Sequence, residues 1–115
     1  EERAEAVRAL YRAELAAAIE RTVPECEHIV GKHAAAWRIR AMKTRWGSCS
    51  TRTASITLNL ALARYERRAL VYVILHELTH LWVRGHHARM DRYLPDWRDV
   101  RRVLNAQARE DEEGR

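Results

Sequence analysis

Tyr72-Val73-Ile74-Leu75-His76-Glu77-Leu78-Thr79-His80-Leu81 is the stretch whose reading decides the fold. It lies within residues 65–84, the most apolar part of the chain, where Leu70, Val71, Val73, Ile74, Leu75, Leu78, Leu81 and Trp82 cover more than one helical face. Such a helix is buried on most sides, so this segment is expected to be the central helix of the domain. Two imidazoles and a carboxylate interrupt its apolar surface. Residues four apart share a helix face, so His76 and His80 can offer two nitrogens to one metal ion, with Glu77 beside it. Among aliphatic neighbours these groups lose on the order of several kcal/mol of solvation unless they are paired or bound to a cation. A divalent ion supplies that compensation, and His-Glu-x-x-His is the pattern of zinc hydrolases.

Two imidazoles leave the site incomplete, because a catalytic zinc takes three protein ligands and keeps one position for water. After His80 no Glu occurs until Glu110, which leaves His86, His87, Asp91 and Asp96 as candidates. In an unbroken helix His86 would stand about 80° from the His76 direction and about 15 Å along the axis, out of reach. Gly85 offers a break, since glycine accepts the left-handed conformation that ends helices. A chain that turns back there brings His86 to the ion. His86 is therefore the favoured third ligand, with His87 or an Asp as alternatives.

Working outward, residues 2–21 read as an amphipathic helix, with Val7, Leu10, Tyr11, Leu15, Ala18 and Ile19 on one face. Thr22-Val23-Pro24 is expected to stop it, with a loop over 25–32, because proline lacks the amide hydrogen a helix needs. Alternation predicts strands over 37–42, 44–50 and 54–59, the last two joined by the turn 51–53. A short helical turn follows over 88–94. A last helix is expected to start with Asp96 as N-cap and Asp99 as its capping-box partner, and to run to about residue 108. Residues 110–115 read as a disordered tail. The elements make an α+β fold: a small, mainly antiparallel sheet of about three strands on a central zinc-binding helix, flanked by N- and C-terminal helices. At 115 residues the chain suffices for this one domain.

Composition narrows the class further. With 47% hydrophobic and 32% charged residues, the chain is neither a disordered tail nor a membrane protein. Its longest apolar run has seven residues, Ala69 to Leu75, where a bilayer span needs about 20. Net charge is +5, but Glu1, Glu2 and 110–115 hold six of the 16 acids and one of the 21 bases, so residues 3–109 carry +10. All but Lys32 and Lys43 of these bases are Arg, a surface that admits a polyanionic or nucleic-acid partner. Cys26 and Cys49 form no Cys-x-x-Cys pair and read as reduced thiols, which points to a cytoplasmic protein, taken here as a monomer.

Several motifs occur in order: Lys43-Thr44-Arg45-Trp46-Gly47-Ser48-Cys49-Ser50, Ile56-Thr57-Leu58-Asn59, Tyr72 through Leu81 with His86, Pro95-Asp96-Trp97, and Leu104-Asn105. Together they resemble the YgjP-like zinc metallopeptidase domain, a member of the zincin group related to SprT-type and minimal gluzincin proteases. The resemblance implies His76, His80 and His86 as zinc ligands and Glu77 as the catalytic carboxylate. It departs at Met90-Asp91, where the family often has Phe-Trp, and at Tyr65, where it often has Pro.

The expected chemistry is peptide hydrolysis by a zinc-activated water, with Glu77 first as general base and then as general acid. Oxyanion help could come from Tyr72, Tyr93 or an Arg. Trp46, Gly47 and Ser48 are the candidate substrate-binding residues, since an extended peptide can pair with an edge strand beside the cleft. The competing reading of that segment is a core strand in which Trp46 packs and Gly47 makes a bulge. Two other functions stay open. One is a zinc hydrolase of non-peptide substrates such as a nucleotide phosphoanhydride. The other is a non-catalytic, metal-stabilised binding module, against which the intact Glu77 argues.

Overall fold

Ile56 and Leu58 alternate with Ser55 and Thr57, and the strand they define is the middle of the sheet. The computed structural model describes residues 1–113. In chain order these form α1 (Glu2–Val30), β1 (Ala36–Arg40), β2 (Gly47–Ser50), β3 (Ser55–Asn59), a 3₁₀ turn (Leu60–Arg64), α2 (Arg67–Thr79), α3 (His86–Tyr93) and α4 (Trp97–Glu113). The α+β class and the three-strand sheet agree with the sequence reading, but the sheet is mixed rather than mainly antiparallel. Its order is β1-β3-β2: β2 runs antiparallel to β3, with Gly47 opposite Leu58, and β1 runs parallel to it, with Trp37 opposite Ile56. The reason is the loop 41–46, which crosses the end of β3 instead of turning back beside β1. The Asn59 side chain pins this loop, donating to the carbonyls of Met42 (3.0 Å) and Arg45 (2.8 Å). Residues 44–46, expected in β2, belong to that crossing.

α2 lies at the centre, as its sequence demands. Val73, Ile74, Leu75 and Leu78 are at most 1% exposed and pack in one core with Leu15, Ile19 and Val30 of α1, Ile56 and Leu58 of β3, Met90 of α3, and Trp97 and Leu104 of α4.

Helix ends differ from the expectations in instructive ways. α1 does not stop at 22–24. It passes through Pro24 and continues to Val30, so no loop occupies 25–32 until Gly31 caps the helix at φ 76°. The buried residues Thr22, Cys26 and Val30 continue the stripe begun by Leu15 and Ile19, and this packing outweighs one missing backbone hydrogen bond. α2 is shorter than predicted and ends at Thr79, not near Gly85. The Thr79 hydroxyl donates to the Leu75 carbonyl (2.6 Å), and the next amides bond three residues back, from His80 to Glu77 and from Trp82 to Thr79. The Trp82 indole N–H then donates to the Val30 carbonyl at the end of α1 (2.9 Å).

α4 is longer than predicted. Its start matches, with the Val100 amide bonded to the Asp96 carbonyl, but no capping box forms: the Asp96 carboxylate pairs with Arg68 and that of Asp99 with Arg102. Residues 110–113 of the expected disordered tail are helical, and Asp111 accepts from the Tyr65 hydroxyl. Positions 114–115 of that tail lie outside the described residues. No helix among the described residues is long and apolar enough to cross a membrane.

Candidate metal centre

The early end of α2 builds the centre. His76 and His80 lie one turn apart at the end of the helix, and the chain then turns through Trp82 toward α1 and returns at Gly85 (φ 81°), which opens α3 with His86. Trp82 holds this loop in place. The Lys32 ammonium (4.3 Å) and the Arg89 guanidinium (4.0 Å) both lie over its ring, cation–π contacts worth about 0.5–1 kcal/mol each at exposed sites. The three imidazoles converge as a result. Ring centroids are 4.9 Å apart for His76 and His80, 4.6 Å for His76 and His86, and 4.4 Å for His80 and His86.

One nitrogen from each ring lies within 4.8 Å of the other two. Nitrogens about 2.1 Å from a tetrahedral ion stand about 3.4 Å apart, so small ring movements close the set. Two observations show that the donor set fits a metal. The His86 Nε2 is buried and has no hydrogen-bond partner among the described residues, a costly state for a polar atom without an ion. Burial, and then the neighbouring imidazoles of His76, His80 and His87, push the His86 pKa down to about 4, while burial lowers that of His80. Both rings are therefore neutral near pH 7, the form that ligates.

The alternative third ligands are engaged elsewhere. His87 stacks on Trp97 (5.6 Å), Asp91 accepts from the Trp97 indole (2.8 Å) and Arg98 (2.6 Å), and Asp96 pairs with Arg68.

Glu77 is 5% exposed, with Oε2 at 3.2 Å from His76 Nδ1. It lines a groove of about 430 Å³ together with His76, His80, Tyr72, Trp46 and the β2 residues Gly47 to Cys49. Gly47 explains how the strand comes so close. A Cβ there would stand 3.0 Å from Glu77 Cγ and from Val73 Cγ1, so a larger residue would force these side chains to give way by a few tenths of an ångström. The register is continuous, and no bulge forms at Gly47.

Trp46, Gly47 and Ser48 all line the groove, but in different ways. The Trp46 indole donates to Asn105 Oδ1 (2.9 Å) and packs edge-on against Tyr65, which makes Trp46 a wall of the groove. The Asn59 amide donates to the Trp46 carbonyl (2.9 Å), so ladder alternation turns the main-chain groups of Ser48 toward β3 and those of Gly47 and Cys49 toward the open edge. Of the oxyanion candidates, Tyr72 lines the groove, whereas the Tyr93 hydroxyl points at the Val30 carbonyl (3.5 Å). Asn59 and Asn105, which hold the groove wall, stood in the quoted motifs without a role. Only their long-range partners reveal one.

Comparison with known proteins agrees with this geometry. No significantly similar sequence was found among curated proteins. The fold is similar to that of the metallopeptidase zymogen of Pyrococcus abyssi abylysin, with TM-score 0.64 and 21% identity over 76% of this chain and 93% of that one. It is also similar to the metallopeptidase zymogen of Methanocaldococcus jannaschii jannalysin, with TM-score 0.66 and 21% identity over 78% and 96%. The sequence itself matches a family of metallopeptidase domains, which assigns the chemistry to peptide bonds rather than phosphoanhydrides and implies a metal ion. That match spans residues 1–107, and the chain belongs to the YgjP-like metallopeptidase domain family.

Proposed function

We propose that the chain is a zinc peptidase in which His76, His80 and His86 hold the ion and Glu77 carries the proton. The observation behind this reading is the convergence of three imidazoles beside a buried carboxylate that lines an open groove. Three nitrogen donors suit zinc among the divalent metals, and fewer than four protein ligands leave a position for water. When bound, the ion supplies Lewis acidity, lowering the pKa of coordinated water towards about 7 and polarising a carbonyl.

The chain's own residues do the rest. Glu77 accepts a proton on its carboxylate and returns it to the departing amine, a step that typically contributes about 10²–10⁴-fold. An extended peptide adds to the open edge of β2, bonding the main-chain groups of Gly47 and Cys49, with the reacting carbonyl held over Glu77 where Gly47 allows close approach. Trp46 and Tyr72 both line the groove in which it lies.

Metal analysis and peptide digestion test this together. One zinc per chain is expected in the wild type and in Glu77→Gln, with peptide cleavage by the wild type alone. Cleavage by metal-replete Glu77→Gln would overturn the assignment of the proton carrier.

A further inference from the structure

We propose that a cavity flanking the catalytic groove at Arg45 is a subsite for acidic side chains. The enzyme then prefers peptides with Asp or Glu about two residues from the scissile bond, an inference that rests on the peptidase reading above. The cavity, about 620 Å³, lies between the loop 41–46, the 3₁₀ turn and the C-terminal end of α4. Arg45 and Trp46 line both this cavity and the groove, so a peptide leaving one enters the other.

Its charge is unbalanced. Asp111 is taken up by the Tyr65 hydroxyl and by Arg64 (3.6 Å). Lys43, Arg45 and Arg109 also line the cavity, and none has a carboxylate partner among the described residues, while Glu112 is the one remaining acid on its wall. Guanidinium groups match carboxylates through paired hydrogen bonds, which makes this wall selective for Asp and Glu over neutral side chains.

The backbone that carries two of the cations is held in advance of binding. The Arg45 and Met42 carbonyls are bonded to the Asn59 side chain and Trp46 is bonded to Asn105, so the loop carrying Lys43 and Arg45 is fixed at both ends. Spacing sets the position. Arg45 precedes Gly47, the first residue of β2, by two residues in the loop that leads into the strand. A substrate strand centred on Glu77 beside Gly47 therefore presents a residue about two places away to Arg45.

The test uses matched fluorogenic peptides that differ only in Glu or Lys at that place, varied on both sides of the cleavable bond. Metal-loaded wild type is expected to favour Glu in kcat/KM on the order of five- to tenfold, the scale set by two or three exposed ion pairs. The preference should shrink in about 0.5 M salt and reverse in Arg45→Glu and Lys43→Glu. Binding of the same peptides to Glu77→Gln, read by fluorescence anisotropy, should show the same order without turnover. Equal cleavage of the two peptides, or a preference untouched by charge reversal, overturns the acidic subsite and leaves the peptidase intact. Failure to cleave any peptide overturns the peptidase, while anisotropy still decides the subsite.

Discussion

The two faces of α2 carry different loads. One face, with Ile74, Leu75 and Leu78, is sealed in the core. The other, with Tyr72, His76, Glu77 and His80, lines the groove. Glu77 and Leu78 are neighbours in sequence, yet a turn of about 100° per residue separates chemistry from packing. A change on one face should therefore leave the other largely intact, because contact energies couple mainly between touching residues.

The largest break in that comparison is expected at Glu77. Glu77→Gln should lower kcat/KM about 10²–10⁴-fold while zinc content and melting temperature stay near wild type, read by steady-state kinetics, metal analysis and calorimetry. His86→Ala should weaken zinc binding by more than the 10–100-fold that loss of a supporting partner costs, measured by competition with a chelator. Unchanged affinity there would move the role to His87. On the opposite face, Leu78→Ala should cost about 2–5 kcal/mol in denaturant unfolding yet keep one zinc per chain.

Gly47→Ala tests the contact between β2 and the groove face of α2. Its Cβ meets Val73 Cγ1 and Glu77 Cγ at 3.0 Å, so about 1–3 kcal/mol of stability should be lost together with activity. The smallest effect lies away from the site. Burial, helped by the adjacent Glu25, raises the Cys26 thiol from 9.0 to about 11. The unfolded chain thus loses this proton first, so the associated stability is complete below pH 9.0 and fades as pH rises through about 11. Melting temperature followed over that range should fall less steeply in Cys26→Ala.

The candidate site was more legible than the frame that holds it. His76, Glu77 and His80 follow from helical spacing alone, since positions four apart share a face whatever surrounds them. His86 required a break in the helix, and sequence placed that break at Gly85. The structure places the end of α2 at Thr79, where a side-chain hydroxyl and the Trp82 bond to Val30 draw the chain away. Gly85 instead starts the next helix. The parallel pairing of β1 was not legible, because no local pattern says whether a loop turns beside its strand or crosses the next one. Asn59 decides it through bonds to residues 14 and 17 positions away.

By itself, then, the sequence determined what is periodic and local: the buried central helix, the stripe of His76, Glu77 and His80 on it, and strands with one apolar face. Tertiary structure decided where helices end and how strands are ordered. Pro24 shows why. A proline that breaks an isolated helix sits inside α1, because Thr22, Cys26 and Val30 around it gain more by burial than one missing hydrogen bond costs. α2, with no proline or glycine near its end, stops because a tryptophan three residues on finds a carbonyl on another helix. Helix ends balance local propensities of a few tenths of a kcal/mol to about 3 kcal/mol against long-range contacts of similar size. Only the folded chain carries both sides of that balance.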